Sequence, residues 1–361
     1  MRRRAWPSRG TNLDPGNRFT QRELVLDGDE RDHALIAATG ADERTRVFRD
    51  ASRSVISHNT SPDIPFDVSL NPYRGCEHGC PYCYARPTHE YLGLSAGLDF
   101  ERTLFAKLEA PELLARELAK PSWKPQHLAL SGVTDPYQPI ERKLRITRDC
   151  LEVLAAHRQP LGVITKNALV TRDLELLAEL AHFGAARVAV SITTLDEDLR
   201  RRLEPRTSTS ADRLRAVRCL TEAGVPVGVN VAPVIPGLND HEIPAILEAA
   251  ADAGAQGAAW TLLRLPGAVE GVFVAWLREH APLRAERVLA RLRDARGGVL
   301  SDTRFGHRMR GEGVYAQQLT ALFDVHRRRV GLDRPAAPLD ASHFRVPGRT
   351  RQLALFGDGG A

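Results

Sequence analysis

From about residue 65, short apolar or β-branched runs alternate with longer stretches in which apolar residues recur at helical spacing. The short runs predict strands at residues 67–71, 127–131, 161–165, 187–192, 225–231 and 257–262. The longer stretches predict helices at residues 110–119, 147–157, 171–182, 211–223 and 241–253. Gly224 and Gly254 each follow a predicted helix, where a helix C-terminal cap is expected.

Such alternation predicts an α/β fold in which crossover helices connect the strands of a parallel sheet. Six βα units of this size favour a partial (βα)6 barrel of the TIM type, although periodicity alone does not separate it from an open sheet. We expect the barrel to span residues 63–280, with an irregular N-terminal segment and a helical C-terminal extension.

The segments on either side of this region have a different pattern. Residues 1–62 are polar, rich in Arg, Asp and Pro, and weakly periodic, which predicts a partly disordered N-terminal extension. Residues 281–335 predict a helical extension, with helices near 283–295 and 314–328. Residues 336–361 form a Pro- and Arg-rich tail that contains the sequence QLALF.

Composition narrows the class of protein. With 361 residues, 43% hydrophobic and 26% charged, the chain is long enough for one large core plus appendages. The net charge of +5 permits contact with nucleic acid without arguing strongly for it. The absence of a long apolar run and of a signal peptide predicts a cytoplasmic protein.

Three of the five cysteines lie within eight residues and carry the clearest chemical signal. Cys76, Cys80 and Cys83 have the spacing C-x3-C-x2-C, and in a reducing compartment such clustering indicates metal binding instead of disulfides. Three thiolates hold an iron–sulfur cubane and leave one iron open for another ligand. The alternative is a structural zinc site, which would need His78 or His89 as its fourth ligand.

The segment NPYRGCEHGCPYCYAR, together with TDPYQP and PVIPGLND further along, resembles the radical S-adenosylmethionine (SAM) superfamily. Within it, the closer similarity is to bacterial proteins related to spore photoproduct lyase, which are often labelled DNA repair photolyases. The resemblance covers residues 60–355 and implies a [4Fe–4S] cluster on the three cysteines that binds SAM. Reduction of the cluster would cleave SAM to a 5′-deoxyadenosyl radical, with flavodoxin or ferredoxin as the reductant.

The resemblance also implies a set of SAM contacts at the ends of the predicted strands, where parallel barrels bind ligands. Lys166 would pair with the SAM carboxylate, and Thr134 and Ser191 would contact polar groups of SAM. Ala232 would offer backbone to adenine, and Tyr82 would lie beside adenine or the cluster. The alternative for the strand-end hydroxyl groups is that they only cap the next helix.

Two further positions are candidates for the reaction itself. Tyr82 and Tyr84 match the tyrosines that flank the last cluster cysteine in spore photoproduct lyase, one of which belongs to its hydrogen-transfer chain, and Tyr84 is the candidate for a catalytic role. Asp135 could position substrate, or it could fold its loop against the cluster. The cysteine by which that enzyme returns hydrogen to its product aligns with Gly132, so the sequence argues against the same lyase reaction.

The tail raises the possibility of a macromolecular partner. The residues Gln352, Leu353, Leu355 and Phe356 resemble the short peptide by which bacterial replication and repair proteins bind the DNA sliding clamp. The alternative is that they fold back onto the barrel. A basic group, Arg304, His307, Arg308 and Arg310, could contact a phosphate backbone or lie in a solvated loop.

Three functions therefore compete. The first is a radical SAM enzyme that acts on nucleic acid, the second is one that modifies a protein or small molecule, and the third is a non-catalytic metal-cluster protein. Polar residues at the predicted strand ends argue against the third, because a binding module needs no SAM pocket.

Overall fold

A computed structural model describes residues 9–11, 13–19 and 45–348. The strands of this region are β1 (Arg46–Arg49), β2 (Ile56–His58), β3 (Val68–Leu70), β4 (Tyr73–Arg74), β5 (Thr103–Ala106), β6 (Leu128–Leu130), β7 (Leu161–Thr165), β8 (Ala186–Ser191), β9 (Val227–Val234) and β10 (Gly257–Leu262). The α-helices are α1 (Leu98–Arg102), α2 (Ala110–Leu118), α3 (Glu141–Leu144), α4 (Ile146–His157), α5 (Leu174–His182), α6 (Glu197–Leu203), α7 (Ser210–Glu222), α8 (Ile243–Asp252), α9 (Val269–His280), α10 (Pro282–Asp294) and α11 (Gly313–Arg329). Short 3-10 helices cover Arg86–Leu92, Ala168–Asp173 and Asp240–Glu242.

The larger sheet has seven strands in the order β10-β9-β8-β7-β6-β3-β2. Six of them, β3 and β6 to β10, are mutually parallel, and β2 joins one edge antiparallel to β3. The α/β class and the parallel sheet predicted from the sequence are therefore confirmed. Because the six strands run in one direction, their carboxyl ends lie along one edge, where the predicted polar residues follow.

A second sheet has three strands in the order β1-β5-β4. The expectation of an irregular N-terminal segment needs correction here, because residues 46–49 and 56–58 form β1 and β2. Each strand is short and has few buried apolar residues, such as Val47 and Phe48 in β1, so the hydrophobic pattern is too brief to predict them.

Strands and helices bury their apolar sides in one large core. The parallel strands contribute residues such as Leu70, Leu130 and Val163, each at most 1% exposed. In α2 the buried residues Ala110, Leu114 and Leu118 recur every four positions, so one face of the helix packs on the sheet.

The C-terminal segment covers the edge of the large sheet. The amide of Ala258 in β10 donates to the Leu332 carbonyl at 3.2 Å, and the Leu262 amide donates to Met309 at 2.9 Å. Phe323 of α11 packs on Trp260, with ring centroids 6.1 Å apart. Main-chain groups of β10 that would otherwise be an open sheet edge are thereby satisfied. Within the described ranges, no helix is both long enough and apolar enough to cross a membrane.

Candidate functional site

The three clustered cysteines lie on a loop that begins directly after β4. Its glycines, Gly75 at φ +77° and Gly79 at φ +71°, adopt the left-handed conformation that lets the loop curl tightly. Cys76 and Cys80 are buried, and all three thiols are free of disulfides. Cys83 packs both against the apolar group containing Cys76 and against that containing Cys80, so the loop gathers the three sulfurs in one region.

The donor set fits an iron–sulfur cluster. Burial raises the pKa of all three thiols, because a buried thiolate loses its hydration. Across the described part of the chain, no three His, Cys, Asp or Glu side chains form a group that could hold a metal ion. A cubane distributes its cysteine ligands over separate iron atoms, so three spaced thiols on a loop suit it better than they suit zinc.

The two histidines that a zinc site would need already have other partners. The Nε2 of His89 lies 2.8 Å from the Thr103 carbonyl, and burial lowers the pKa of this imidazole to about 4. The Nδ1 of His78 lies 3.5 Å from the Asp135 carboxylate, and its Nε2 lies 3.3 Å from the Asn167 amide nitrogen. The Nδ1 of His89 has no hydrogen-bond partner among the described residues, but neither histidine joins the cysteines there in a group of three metal-binding side chains.

Arg86 stabilises the conformation of the cysteine loop through hydrogen bonds. Its side chain is fully buried, donates to the Cys80 carbonyl at 2.9 Å and to the Gly97 carbonyl at 2.8 Å, and pairs with the buried Glu101. The guanidinium thus satisfies loop carbonyls that burial would leave without partners. This role is not evident from the spacing of the cysteines, although Arg86 follows Cys83 by only three residues.

Thr134 and Gln138 fasten the same loop to the segment that follows β6. The Thr134 hydroxyl donates to the Gly75 carbonyl at 2.7 Å. Gln138 donates to Thr134 Oγ1 at 3.0 Å and accepts from the Glu77 amide at 2.9 Å. In this arrangement Thr134, expected from the resemblance to contact SAM, holds the cysteine loop to the strand end.

Asp135 ties neighbouring strand ends together. One carboxylate oxygen accepts from the Thr165 hydroxyl at 2.7 Å and the Tyr137 amide at 2.9 Å. The other accepts from the Lys166 amide at 2.7 Å. These contacts fasten the segment after β6 to the end of β7.

Lys166 lies at the end of β7 and reaches across to the ends of β8 and β9. Its ammonium donates to the Ala232 carbonyl at 2.7 Å and to Thr193 Oγ1 at 3.0 Å, and it lies 3.2 Å from a Glu204 carboxylate oxygen. Its Nζ is also 5.8 Å from the ring centroid of Tyr82. Three strand ends and the cysteine loop therefore meet at one partly buried cation.

Glu204 is the fully buried anion at the centre of this group. It accepts hydrogen bonds from Tyr82 and Thr193 and pairs with Arg213 at 2.6 Å. Burial raises the pKa of Glu204, but Arg213, Lys166 and the two hydroxyl donors outweigh it and hold that pKa well below its ordinary value. We call Lys166, Glu204, Arg213, Thr193 and Tyr82 the Glu204 network.

The other two strand-end positions serve this network through their backbone. The Ser191 carbonyl accepts from Arg213 at 3.0 Å, and the side chain is buried at the end of β8. The Ala232 carbonyl accepts from both Lys166 and Thr193. All five residues expected to contact SAM, Tyr82, Thr134, Lys166, Ser191 and Ala232, thus lie in or beside one connected set of contacts.

Tyr84 stands apart from the buried network, with half of its surface exposed. Its hydroxyl donates to the Gly132 carbonyl at 2.5 Å, next to the end of β6. The Arg264 guanidinium lies 5.4 Å from its ring centroid. Tyr84 is therefore an accessible aromatic side chain one residue from Cys83.

Sequence reasoning identified the cysteines and the strand-end residues, and it placed Gln138 in a polar loop that could position substrate or fold against the cluster. Glu204 was a weaker candidate for the SAM site, and Arg86 and Arg213 were missed. A signal for Gln138 lies in the TDPYQP segment, where it follows Thr134 by four residues. Arg213 is in α7, and its sequence neighbours give no sign that it reaches Glu204.

The remaining candidates are the residues of the C-terminal tail and the basic group. Gln352, Leu353, Leu355 and Phe356 lie outside the described residues, so clamp binding stays a prediction. In the basic group, Arg304 pairs with Asp302 and Glu312, and Arg308 pairs with Asp63. Arg310 lies over the ring of Trp260, 4.6 Å from its centroid.

A parallel α/β sheet with three free cysteines in a loop at its carboxyl edge, beside a buried ion-pair network, is typical of cluster-binding α/β proteins. The family model of the radical SAM superfamily matches residues 70–250, which is half of the chain. The chain belongs to the radical SAM superfamily, whose members use a [4Fe–4S] cluster and SAM.

Two relatives are similar to part of this chain. An uncharacterized protein of Mycobacterium tuberculosis is 40% identical over 221 residues, covering 61% of this chain, and the chain spans 65% of the length of that relative. An uncharacterized protein of Methanocaldococcus jannaschii is 29% identical over 173 residues, covering 48% of this chain and 62% of its own.

Among solved structures, spore photoproduct lyase complexed with dinucleoside spore photoproduct is similar, with a TM-score of 0.56 and 16% identity. The match covers 79% of this chain and 78% of the other. At this identity the likeness concerns the fold alone.

Proposed function

We propose that this chain is a radical SAM enzyme that acts on nucleic acid by hydrogen abstraction. The observation that carries the proposal is the gathering of Cys76, Cys80 and Cys83 on one loop whose Tyr82 joins the Glu204 network. A cluster on that loop and a ligand at the carboxyl ends of the parallel strands would be neighbours.

Cys76, Cys80 and Cys83 would hold the [4Fe–4S] cluster and leave one iron open. When bound, the cluster and SAM supply a 5′-deoxyadenosyl radical after one-electron reduction by a flavodoxin or ferredoxin. Arg86, Thr134 and Gln138 would keep the loop in shape, because each satisfies a loop carbonyl or amide.

Lys166, Ser191, Ala232, Thr134 and Tyr82 would form the SAM pocket. A SAM carboxylate would compete with Glu204 for the Lys166 ammonium, and Glu204 would keep Arg213 as its counter-ion. The network thus supplies a cation for SAM without leaving a buried carboxylate unpaired.

Tyr84 and Asp135 are proposed for different tasks. Tyr84 is exposed beside the cluster loop and would contact the substrate or transfer hydrogen. Asp135 would position Lys166 through its backbone amide. Since Gly132 has no side chain to donate hydrogen, the product radical would be quenched by another group, and the reaction would differ from that of spore photoproduct lyase.

The six parallel strands are further proposed to curve as a partial (βα)6 barrel over residues 63–280. Contacts of Lys166 with the ends of β8 and β9 support curvature, because they draw strand ends toward one point. The segments 1–62 and 281–335 would flank the barrel, with β2 extending its sheet and α11 packing into its core. Residues 336–361 would form a tail.

Anaerobic reconstitution with iron and sulfide tests the core of the proposal. We expect about four iron atoms per chain and release of 5′-deoxyadenosine from SAM on reduction. Cys83→Ala should lose most of both. Cys219→Ala is the matched control, because Cys219 is an exposed free thiol on α7 and should keep wild-type values. Retention of zinc, or SAM cleavage that survives Cys83→Ala, would contradict the proposal.

A second candidate, modification of a protein or small molecule, uses the same chemistry. Reduced enzyme with SAM is incubated with deuterated DNA, RNA and protein in parallel. Deuterium in 5′-deoxyadenosine from the nucleic-acid samples supports the first candidate, and deuterium only from protein supports the second.

A further inference from the structure

Arg264 lies just beyond the carboxyl end of β10, on the same edge of the sheet as the cysteine loop. Its guanidinium faces the ring of Tyr84, and Tyr84 in turn reaches the Gly132 carbonyl after β6. Through Tyr84, Arg264 is therefore linked to the segment that follows β6, at the edge of the sheet that carries the cysteine loop.

The charge of Arg264 is not matched by a neighbouring acid. Among the described residues, its side-chain polar contact is with the Met309 sulfur at 3.7 Å, and no carboxylate of that set lies within 4.0 Å of its guanidinium. Asp63 is the acid that influences it, but Asp63 is already held by Arg308 through two hydrogen bonds. Two arginines thus lie near one carboxylate at this edge of the site, and only Arg308 is paired with it.

A third arginine lies beneath this rim. Arg296 is 1% exposed and donates to the carbonyls of Leu263 and Arg308, while its Nε and one terminal nitrogen have no partner among the described residues. Asp302 is the acid whose charge acts on Arg296, but it is paired with Arg304 at 2.8 Å. A buried cation without a paired counter-ion raises the energy of the fold, and an anion at the rim would offset that cost. We call Arg264, Arg296, Arg308 and Asp63 the arginine rim.

Two exposed aromatic side chains lie beside these arginines. Tyr84 is 50% exposed, and Phe305, whose ring lies 4.6 Å from the Arg308 guanidinium carbon, is 54% exposed. Isolated phosphate or carboxylate ligands need no such rings, whereas single-stranded nucleic acid offers a phosphate and a base face within one nucleotide. Arginine also binds phosphate oxygens in a bidentate fashion.

We propose that the arginine rim binds a phosphodiester of a single nucleic-acid strand through Arg264, with the adjacent base against Tyr84. The site rests on the proposed function for its biological meaning, since it would hold the strand beside the cluster loop. It needs no cluster to form, because all of its groups belong to the chain itself.

Fluorescence anisotropy with a labelled single-stranded oligonucleotide tests the site on the full chain. We expect Arg264→Ala to weaken binding roughly tenfold, as the loss of a charged hydrogen bond does. The slope of log K against log salt should fall by about one for the lost phosphate contact. Arg264→Lys, which keeps the charge but not the fork, should fall between wild type and Arg264→Ala.

Arg278→Ala is the matched control, because Arg278 on α9 is exposed and lies 3.9 Å from Glu286. It removes the same net charge and should leave affinity and salt slope near wild type. Equal losses in Arg264→Ala and Arg278→Ala would show a general charge effect and overturn the proposal. So would competition by polyglutamate as effective as that by unlabelled oligonucleotide, since the rim would then prefer an acidic peptide.

The two proposals fail separately. Reductive cleavage of SAM without substrate should be the same in Arg264→Ala as in wild type, because Arg264 has no contact with the cysteines or the Glu204 network. Loss of oligonucleotide binding with normal SAM cleavage would identify the substrate site. Absence of SAM cleavage in wild type, with intact oligonucleotide binding, would sink the proposed function and leave the rim standing.

Discussion

At the scale of single residues, Glu204 is the buried carboxylate on which the charged and polar contacts of the site converge. It is fully buried and is surrounded by Arg213, Lys166 and two hydroxyl donors. A buried pair of this kind adds modest net stability, but removal of one partner leaves the other charge uncompensated. Substitution of Glu204 should therefore destabilise the fold by more than the net contribution of the intact ion pair.

We expect Glu204→Gln to lower the free energy of unfolding by about 3–5 kcal/mol, because Arg213 would remain buried without a counter-ion. Urea denaturation followed by circular dichroism measures it. Glu222→Gln, at an exposed position at the end of α7, is the control and should change stability by less than about 0.5 kcal/mol. A similarly small loss in Glu204→Gln would mean that the network is not a structural ion pair.

The same carboxylate predicts a pH dependence. Its pKa in the folded chain lies below the value of about 4.3 for an unfolded glutamate. Its contribution to stability is then complete above pH ~4.3 and is lost as the pH falls through the folded pKa. Wild-type unfolding free energy should drop on acidification below pH ~4.3 more steeply than that of Glu204→Gln. Parallel curves for the two proteins would refute this assignment.

At the scale of elements, the cysteine loop depends on a glycine whose conformation and space are both restricted. Gly75 has φ +77°, and a Cβ there would lie 2.8 Å from a Leu104 methyl and 3.0 Å from the Phe100 carbonyl oxygen. Gly224 at the end of α7 has nearly the same φ, +79°, but open space around it. Alanine substitutions at these two glycines therefore distinguish the cost of the left-handed backbone from the cost of a steric clash.

Gly224→Ala should cost roughly 1–2 kcal/mol from the left-handed backbone alone. Gly75→Ala should cost more and should also reduce the iron bound after reconstitution, because the loop must shift to admit the methyl group. Denaturation curves and iron analysis on both variants provide the measurement. Full iron content in Gly75→Ala would mean that the loop adjusts without disturbing its thiols.

The strongly periodic elements were predictable, and the short or atypical ones were not. Strands β7 and β10 lie at the predicted positions, α2 and α4 differ from prediction by one residue at one end, and α7 differs by one residue at each end. Strands β1 and β5 are four residues each, too short for periodicity to show. Helix α9 was also missed, since its Val, Phe and Trp residues individually favour strands and only burial against the core makes them helical.

At the scale of the whole molecule, the C-terminal helices share the main core. Ala316, Leu319 and Phe323 of α11 are buried in the same apolar cluster as the strand residues. The bonds of β10 to Met309 and Leu332 add main-chain contacts to this packing. The extension therefore contributes to the stability of the sheet that holds the site.

Phe323→Ala should lower the free energy of unfolding by about 3–5 kcal/mol, as for other buried aromatic residues. Val325→Ala, on the same helix but 53% exposed, should change it by less than about 0.5 kcal/mol. Urea titration of the two variants gives the comparison. Similar small effects would mean that α11 is dispensable to the core.

The sequence by itself determined the α/β alternation, the parallel direction of the strands and the three cysteines, because periodicity and close spacing are local properties. It also placed polar residues at strand ends, since those positions follow directly from the strands. Only the tertiary structure joined Glu204 to Arg213 and Tyr82, and set Arg264 beside Tyr84. These partners are distant along the chain, and burial at one edge of the sheet decides which charges meet and which stay without a counter-ion.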